Sequence, residues 1–184
     1  FPYTTLFRSH AEINALEQIN HKAKNTSLYV TLEPCSHHGK TPPCADALIK
    51  AGVKKVIIAM LDPNPLVSGG GVKMLQDANI QVEVGLLEDE ASELNRGFVK
   101  RMRTGMPFVT SKIAMSLDGR TAMKNGESKW ITSDAARKDV HKLRSENQAI
   151  MTGSATIIND NPMMTVRLNE IDSNPLRVDR KSVV

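Results

Sequence analysis

The sequence predicts an α/β fold: a parallel sheet flanked by helices, followed by a second α/β unit. Three observations carry this expectation. Short β-branched or apolar runs alternate with helix-patterned segments, which is how βαβ units read in sequence. The run VKKVIIAM at Val53–Met60 is apolar enough for a strand covered on both faces. Near Lys100–Pro107 (KRMRTGMP) the pattern gives way to a basic stretch punctuated by glycine and proline, which marks a boundary between two units.

In chain order, Ala11–Lys24 sets Ile13, Leu16 and Ile19 at helical spacing and predicts the first helix. Ser27–Leu32 (SLYVTL) is a short β-branched run and predicts a strand. Pro42–Ala51 carries Ala45, Leu48 and Ile49 and meets Gly52, a helix stop. The Val53–Met60 strand follows, and then Asp62-Pro63-Asn64-Pro65, whose position suggests a pocket rim but whose two prolines favour the plainer role of a rigid turn. Gly71–Ala78 predicts a helix, Ile80–Val84 a strand, and Glu88–Arg96 a helix with an acidic first turn. Gly69-Gly70-Gly71 lacks the G-x-G-x-x-G spacing of a dinucleotide site and reads as a turn. Beyond the boundary, Phe108–Leu117 (FVTSKIAMSL) predicts a strand ending in the turn signal Asp118-Gly119. Ser133–Ser145 predicts a helix with Ser133 as N-cap and Asp134 in its first turn. Ala149–Thr152 predicts a short strand, and Thr156–Arg167 a loop rich in Pro, Asn and Asp.

Composition narrows the function classes. The 184 residues suffice for one ordinary domain or two small ones. Apolar residues at 40% and charged residues at 24% fit a globular chain rather than a disordered one. Aromatics make up only 4%, so the core is expected to consist of Ile, Val, Leu, Met and Ala. No apolar run approaches the ~20 residues of a membrane helix, and no signal-peptide pattern is present. Two cysteines do not make a disulfide scaffold, and a net charge of +4 does not by itself point to nucleic acid.

Both ends carry a further pattern. Tyr3–Ser9 and Asp179–Val184 can be encoded by one DNA sequence and its reverse complement, and they resemble translated sequencing-adapter DNA. Residues 1–9 and 179–184 are therefore set aside. This leaves 10–103 as the first domain and 107–178 as the second, each expected to be cut short at its outer end.

The first domain holds a metal-ligand pattern. His10-Ala11-Glu12 opens a helix, Pro34-Cys35 directly follows a strand, and Cys44 lies nine positions beyond Cys35. One imidazole and two thiolates suffice for a catalytic zinc with its fourth position open to water. Zinc lowers the pKa of bound water toward about 7, and a carboxylate beside the His ligand can move protons between that water and a leaving amine. Glu12 stands in that place. Taken alone, His-x-Glu reads as a solvated helix face and each cysteine as a small buried side chain; the combined set is far more specific. The pattern resembles the zinc nucleobase deaminase signature H-x-E…P-C-x-x-C, except that the second cysteine spacing is longer. The extra loop, Ser36–Pro43 (SHHGKTPP), gathers His37, His38 and Lys40 around Gly39. It reads either as a phosphate-holding basic cluster or as an exposed polar loop.

In the second domain three polar groupings stand out: Lys112 with Ser116–Arg120, Glu127–Trp130, and Thr156–Arg167. Each also reads as ordinary structure: a hairpin turn, a buried indole and a surface loop.

HAE…TLEPCSHHGKTPPC followed by DPNP resembles the deaminase domain of the bifunctional riboflavin-biosynthesis deaminase/reductases. KIAMSLDGRTA, GESKWIT and the G-x-x-T-x-x-x-D-x-P-x-x-T-x-R run at Gly153–Arg167 resemble the start of the reductase domain of the same family. The resemblance implies a cytidine-deaminase-like three-layer αβα domain followed by the start of a dihydrofolate-reductase-like α/β domain. It implies hydrolytic removal of the 2-amino group of 2,5-diamino-6-ribosylamino-4(3H)-pyrimidinone 5′-phosphate, then NADPH-dependent reduction of 5-amino-6-(5-phosphoribosylamino)uracil to the ribitylamino product. Carried over residue by residue, it assigns His10, Cys35 and Cys44 to one zinc ion, Glu12 to the proton shuttle, and His37 and Lys40 to the substrate's phosphoribosyl part. It assigns Ala114, Trp130, Thr156 and Asp160 to the NADPH cofactor, and Lys112, Ser128, Arg144, Met164 and Arg167 to substrate. One departure is Met163-Met164, where the family has a small residue and Leu. The expected partner is a small phosphorylated pyrimidine, with neither nucleic acid nor membrane; a cytoplasmic location and a homo-oligomeric parent are also expected. The alternatives are a zinc deaminase of another pathway, against which the SHHGKTPP loop argues, and an inactive zinc-binding module.

Overall fold

The computed structural model describes residues 10–38, 42–168 and 174–180. They fall into two compact units, one running to Thr110 and one from Ser111 onward.

The first unit contains, in order, α1 (Ala11–Gln18), β1 (Ser27–Leu32), α2 (Cys44–Ala51), β2 (Lys55–Met60), α3 (Gly70–Asp77), β3 (Gln81–Val84), α4 (Glu88–Leu94) and α5 (Arg96–Thr104). The strands form one parallel sheet in the order β1-β2-β3. The centre goes to β2 because its Val56, Ile57, Ile58 and Met60 are all buried, so both of its faces need cover. On one face Val56 and Ile58 pack with Leu16 of α1, Leu48 of α2 and Leu75 of α3. On the other, Ala59 packs against a second cluster, formed at the end of β2 by Met60, Ala91 of α4 and Val99 of α5. The result is a three-layer αβα unit. Full burial of a side chain such as Leu48 contributes roughly 1.5–3 kcal/mol. Beside α4 the sheet leaves an open apolar groove lined by Tyr29, Ile57, Leu86, Leu87 and Leu94.

Local sequence explains where these elements stop. Gly52 ends α2 at φ 77°, a left-handed conformation that suits glycine. The first helix is shorter than its apolar spacing suggests. It ends at Gln18 because Asn20 and His21 take φ values of 52° and 55°, turning the chain so that the Ala23 N–H reaches the Ala51 carbonyl at 3.1 Å. The basic run after Arg96 is helical up to Thr104, and Gly105 at φ 70° ends it.

The second unit contains α6 (Asp134–Ser145), β4 (Ala149–Gly153), α7 (Ser154–Asp160) and β5 (Leu176–Arg180). Ser133 caps α6, its hydroxyl accepting the Ala136 N–H at 3.3 Å. β4 and β5 pair in parallel from Ala149↔Leu176 to Gly153↔Arg180, so Asp179 and Arg180 lie inside a strand. Three features differ from the sequence expectation. Phe108–Leu117 forms no strand: its Asp118-Gly119 turn is present, with the Ser116 N–H donating to the Arg120 carbonyl at 2.9 Å, but no described segment offers it a ladder. The start of the Thr156–Arg167 loop belongs to α7, which stops at Asn161 (φ 40°) before Pro162. β5 was not anticipated, because its apolar content is too low to mark a strand.

Candidate functional site

The three predicted metal ligands come from three different elements and meet. His10 is the extended residue just before α1, Cys35 follows the end of β1, and Cys44 is the first residue of α2. Their donor atoms all lie within 4.8 Å of one another. His10 Nδ1 is 3.6 Å from Cys35 Sγ and 3.2 Å from Cys44 Sγ. Tetrahedral zinc with bonds of about 2.3 Å to sulfur and about 2.0 Å to nitrogen would set its donors roughly 3.6 Å apart, so the arrangement fits the ion closely. Both cysteines are free thiols; Cys44 is buried, and His10 lies at the exposed mouth.

Electrostatics point the same way. Burial pushes the Cys44 thiol well up from its ordinary value, and the negative charges of Glu12 and Cys35 push it further. Two sulfurs and a carboxylate that penalise one another's charge form a set that a divalent cation relieves. Glu12, in the first turn of α1, is one of the charges that bear on Cys44. The N-terminus of α2 also turns toward Cys35: the Cys44 N–H donates to Cys35 Sγ at 3.2 Å and the Ala45 N–H to the Cys35 carbonyl at 3.2 Å. Such a helix start presents the positive end of its dipole to sulfur.

Glu33, two residues before Cys35, carried no role in the sequence reading. It is buried, and its carboxylate gathers backbone N–H groups from the loop after β2 and from the start of α3. Nothing local could have flagged it, since its partners lie 29–39 residues away. Of the two basic residues expected to meet substrate, His37 is exposed and Lys40 lies outside the described residues.

In the second unit, three of the predicted substrate residues converge. Arg144 Nη1 donates to the Thr165 carbonyl at 3.0 Å, and Arg167 Nη1 to Thr165 Oγ1 at 3.2 Å. Met164, next in the chain, is buried at φ 53°, an uncommon backbone state for a side chain of its size. His141 of α6 completes the group, its Nδ1 accepting the Arg167 N–H at 3.2 Å. Burial, then the Arg167 and Arg144 charges, lowers the His141 pKa from its usual 6.5. Burial and the neighbouring Arg167 likewise lower that of Arg144. Two guanidiniums beside one threonine, with no carboxylate bridged to either among the described residues, can receive an anion. His141 was missed because its partners are distant in sequence and it follows no motif.

Among the described residues no hydrogen bond of that group involves the remaining predicted residues. Lys112, Trp130, Thr156 and Asp160 are exposed; Ala114 and Ser128 are half-buried. Trp130 lies under the Arg137 guanidinium, 4.3 Å from its ring centre. Among the described residues no helix is long and apolar enough to cross a membrane.

Comparison with known proteins matches both units. Residues 7–60 match the cytidine and deoxycytidylate deaminase zinc-binding region, and residues 107–182 match the RibD C-terminal domain. The chain is 58% identical over 163 residues to riboflavin biosynthesis protein RibD of Escherichia coli (strain K12), which covers 89% of the chain and 44% of that protein. It is 53% identical over 170 residues to the RibD of Bacillus amyloliquefaciens, covering 92% of the chain and 46% of that relative. Among solved structures, Acinetobacter baumannii RibD (form 1) aligns with a TM-score of 0.88 at 53% identity, covering 95% of this chain and 50% of that one. A Thermotoga maritima diaminohydroxyphosphoribosylaminopyrimidine deaminase/5-amino-6-(5-phosphoribosylamino)uracil reductase aligns with a TM-score of 0.86 at 43% identity, covering 94% and 49%. The chain thus spans a little under half the length of these curated relatives.

Proposed function

The chain belongs to the RibD family of riboflavin biosynthesis proteins, and from that premise we propose that its two units serve a zinc-dependent hydrolytic deamination and an NADPH-dependent reduction of a phosphorylated pyrimidine. The deaminase unit is 10–103 and the reductase unit 107–178. The observation that carries the reading is the convergence of one imidazole nitrogen and two sulfurs within 4.8 Å, with a carboxylate beside them.

His10, Cys35 and Cys44 would hold the metal. A zinc ion on those donors would supply the Lewis acidity that makes water a nucleophile near neutral pH. Glu12 takes a proton from the attacking water and passes it to the departing amine. Water and the 2-amino group thereby exchange, leaving a ring carbonyl and ammonia. His37 and Lys40 bind the phosphoribosyl part, placing the ring's amino-bearing carbon over the site.

In the second unit Arg144 and Arg167 bind the substrate phosphate, a role suited to planar, fork-shaped donors. Ser128 and Met164 contact the substrate, and Lys112 supports its ribose. Ala114, Trp130, Thr156 and Asp160 line the cofactor site. NADPH bound there would supply the hydride. A reducing, NADPH-supplied cytoplasm suits free thiolate ligands and this reduction, and we assign the protein to that compartment and to a homo-oligomer.

The direct test of the deaminase reading is Glu12→Gln. We expect ammonia release from the diaminopyrimidine ribotide to fall by about 10²–10⁴-fold, the range for loss of one general acid–base group. Zinc content should be unchanged. Turnover equal to that of the unsubstituted chain would remove Glu12 from the mechanism.

A further inference from the structure

Glu33 is the one carboxylate buried among the described residues. Its Oε1 accepts the N–H groups of Gly71 at 2.8 Å and Val72 at 3.1 Å. Its Oε2 accepts those of Gly69 at 2.9 Å and Asp62 at 3.1 Å. A carboxylate has about four lone-pair sites, so its acceptor capacity is filled. Each bond is charge-assisted, and burial strengthens it further.

The anchored backbone has a specific position. Glu33 continues β1 into the turn that bears Cys35, and its own N–H donates to the Met60 carbonyl at 3.1 Å. The four donors belong to the loop after β2 and to the first turn of α3. One side chain therefore ties together the two loops at the carboxyl ends of neighbouring parallel strands, where open α/β sheets place their ligands.

Close packing reinforces the tie. A Cβ on Gly71 would fall 2.0 Å from the Pro34 carbonyl oxygen, and one on Gly70 would fall 2.5 Å from Ser36 Oγ. The start of α3 thus lies directly against residues 34–36. Cys35 is held from one side by the first turn of α2 and from the other by α3 acting through Glu33. Further out, the Asn64 N–H donates to Asp62 Oδ1 at 2.8 Å and the Leu66 N–H to Asn64 Oδ1 at 3.1 Å, stiffening the Asp62–Pro65 rim that Glu33 anchors.

We infer that Glu33 is a positioning residue for the metal centre: its buried carboxylate sets where Cys35 Sγ stands relative to His10 and Cys44, and fixes the facing rim in the same act. The inference rests on the metal reading of the three donors given above. Metal sites tolerate little displacement of their ligands, and loss of a supporting partner outside the ligand shell typically costs on the order of 10- to 100-fold in metal affinity.

The test is competition for zinc between a chelator and the full chain, carrying Glu33→Gln or Val72→Ala. Glu33→Gln turns one acceptor oxygen into a donor amide and leaves two N–H groups unpaired. Val72→Ala trims a core contact of α3 and keeps the carboxylate. Glu33→Gln should weaken zinc binding by about 10- to 100-fold, while Val72→Ala should stay within about twofold. Cobalt(II) bound to Glu33→Gln should show a shifted visible spectrum, which loss of stability alone would not produce. Should Glu33→Gln fail to fold by circular dichroism, Glu33→Asp keeps the charge on a shorter arm and should weaken binding in the same direction. Zinc binding by the Glu33 variants equal to that of the unsubstituted chain overturns the inference, as does equal weakening by Val72→Ala. Absence of zinc binding by the unsubstituted chain overturns instead the metal reading on which it rests.

Discussion

In the three-stranded sheet, β2 is covered on both faces, and the metal-ligand trio sits where three elements packed on that core come together. In the two-stranded sheet, β4 alternates exposed and half-buried residues, and β5 is exposed save for Val178. Of the buried side chains among the described residues, only Met164, Val166 and Pro175 belong to the second unit. Yet both units form capped helices and defined turns. The difference teaches that caps, turns and single helices follow from neighbouring residues, whereas a rigid site needs layers packed from distant parts of the chain. The trio in the first unit is held by such layers. The Arg144–His141–Arg167 group in the second is held by hydrogen bonds around one threonine.

The sharpest way to break this comparison is to cut matching side chains from the two sheets. Leu48→Ala empties a fully buried position in the first unit and should cost about 2–5 kcal/mol. Ile150→Ala removes a half-buried side chain from β4 and should cost about 1 kcal/mol or less. Denaturant melts read by a probe in each unit would check both values. Equal losses would mean that the second sheet is as tightly packed as the first.

A smaller effect should appear with pH. The folded His141 pKa lies below its unfolded value near 6.5, because burial and two neighbouring arginines oppose its protonation. Above pH 6.5 the ring is neutral in both states and folding is unaffected. As the pH falls below 6.5, the unfolded chain takes the proton first, so stability of the second unit is lost down to the folded pKa. His141→Gln should flatten that fall below pH 6.5. An unchanged slope in the variant would show that His141 does not titrate as its surroundings require.

Much of this was legible in the sequence, and the rest was hidden for identifiable reasons. Ser27–Leu32 is a strand with the predicted bounds, Gly52 stops α2, and Ser133 caps α6, since each depends on local chemistry. His10, Cys35 and Cys44 stood out because ligand types are rare and their spacing is diagnostic. Phe108–Leu117 misled because its composition favours a strand, but a strand exists only where a neighbour offers a ladder. The α7 helix was obscured by the Asn and Asp residues at its end, and β5 by its charged residues. Glu33 and His141 were invisible for a third reason: their roles consist of bonds to backbone groups far away in the chain.

The measurement that reaches furthest is X-ray absorption at the zinc edge on the chain loaded with one equivalent of zinc, beside the same experiment on Cys44→Ala. The account predicts one nitrogen and two sulfur neighbours from the protein, with sulfur at about 2.3 Å, and loss of one sulfur in the variant. A first shell without sulfur, or one that Cys44→Ala leaves unaltered, would contradict it.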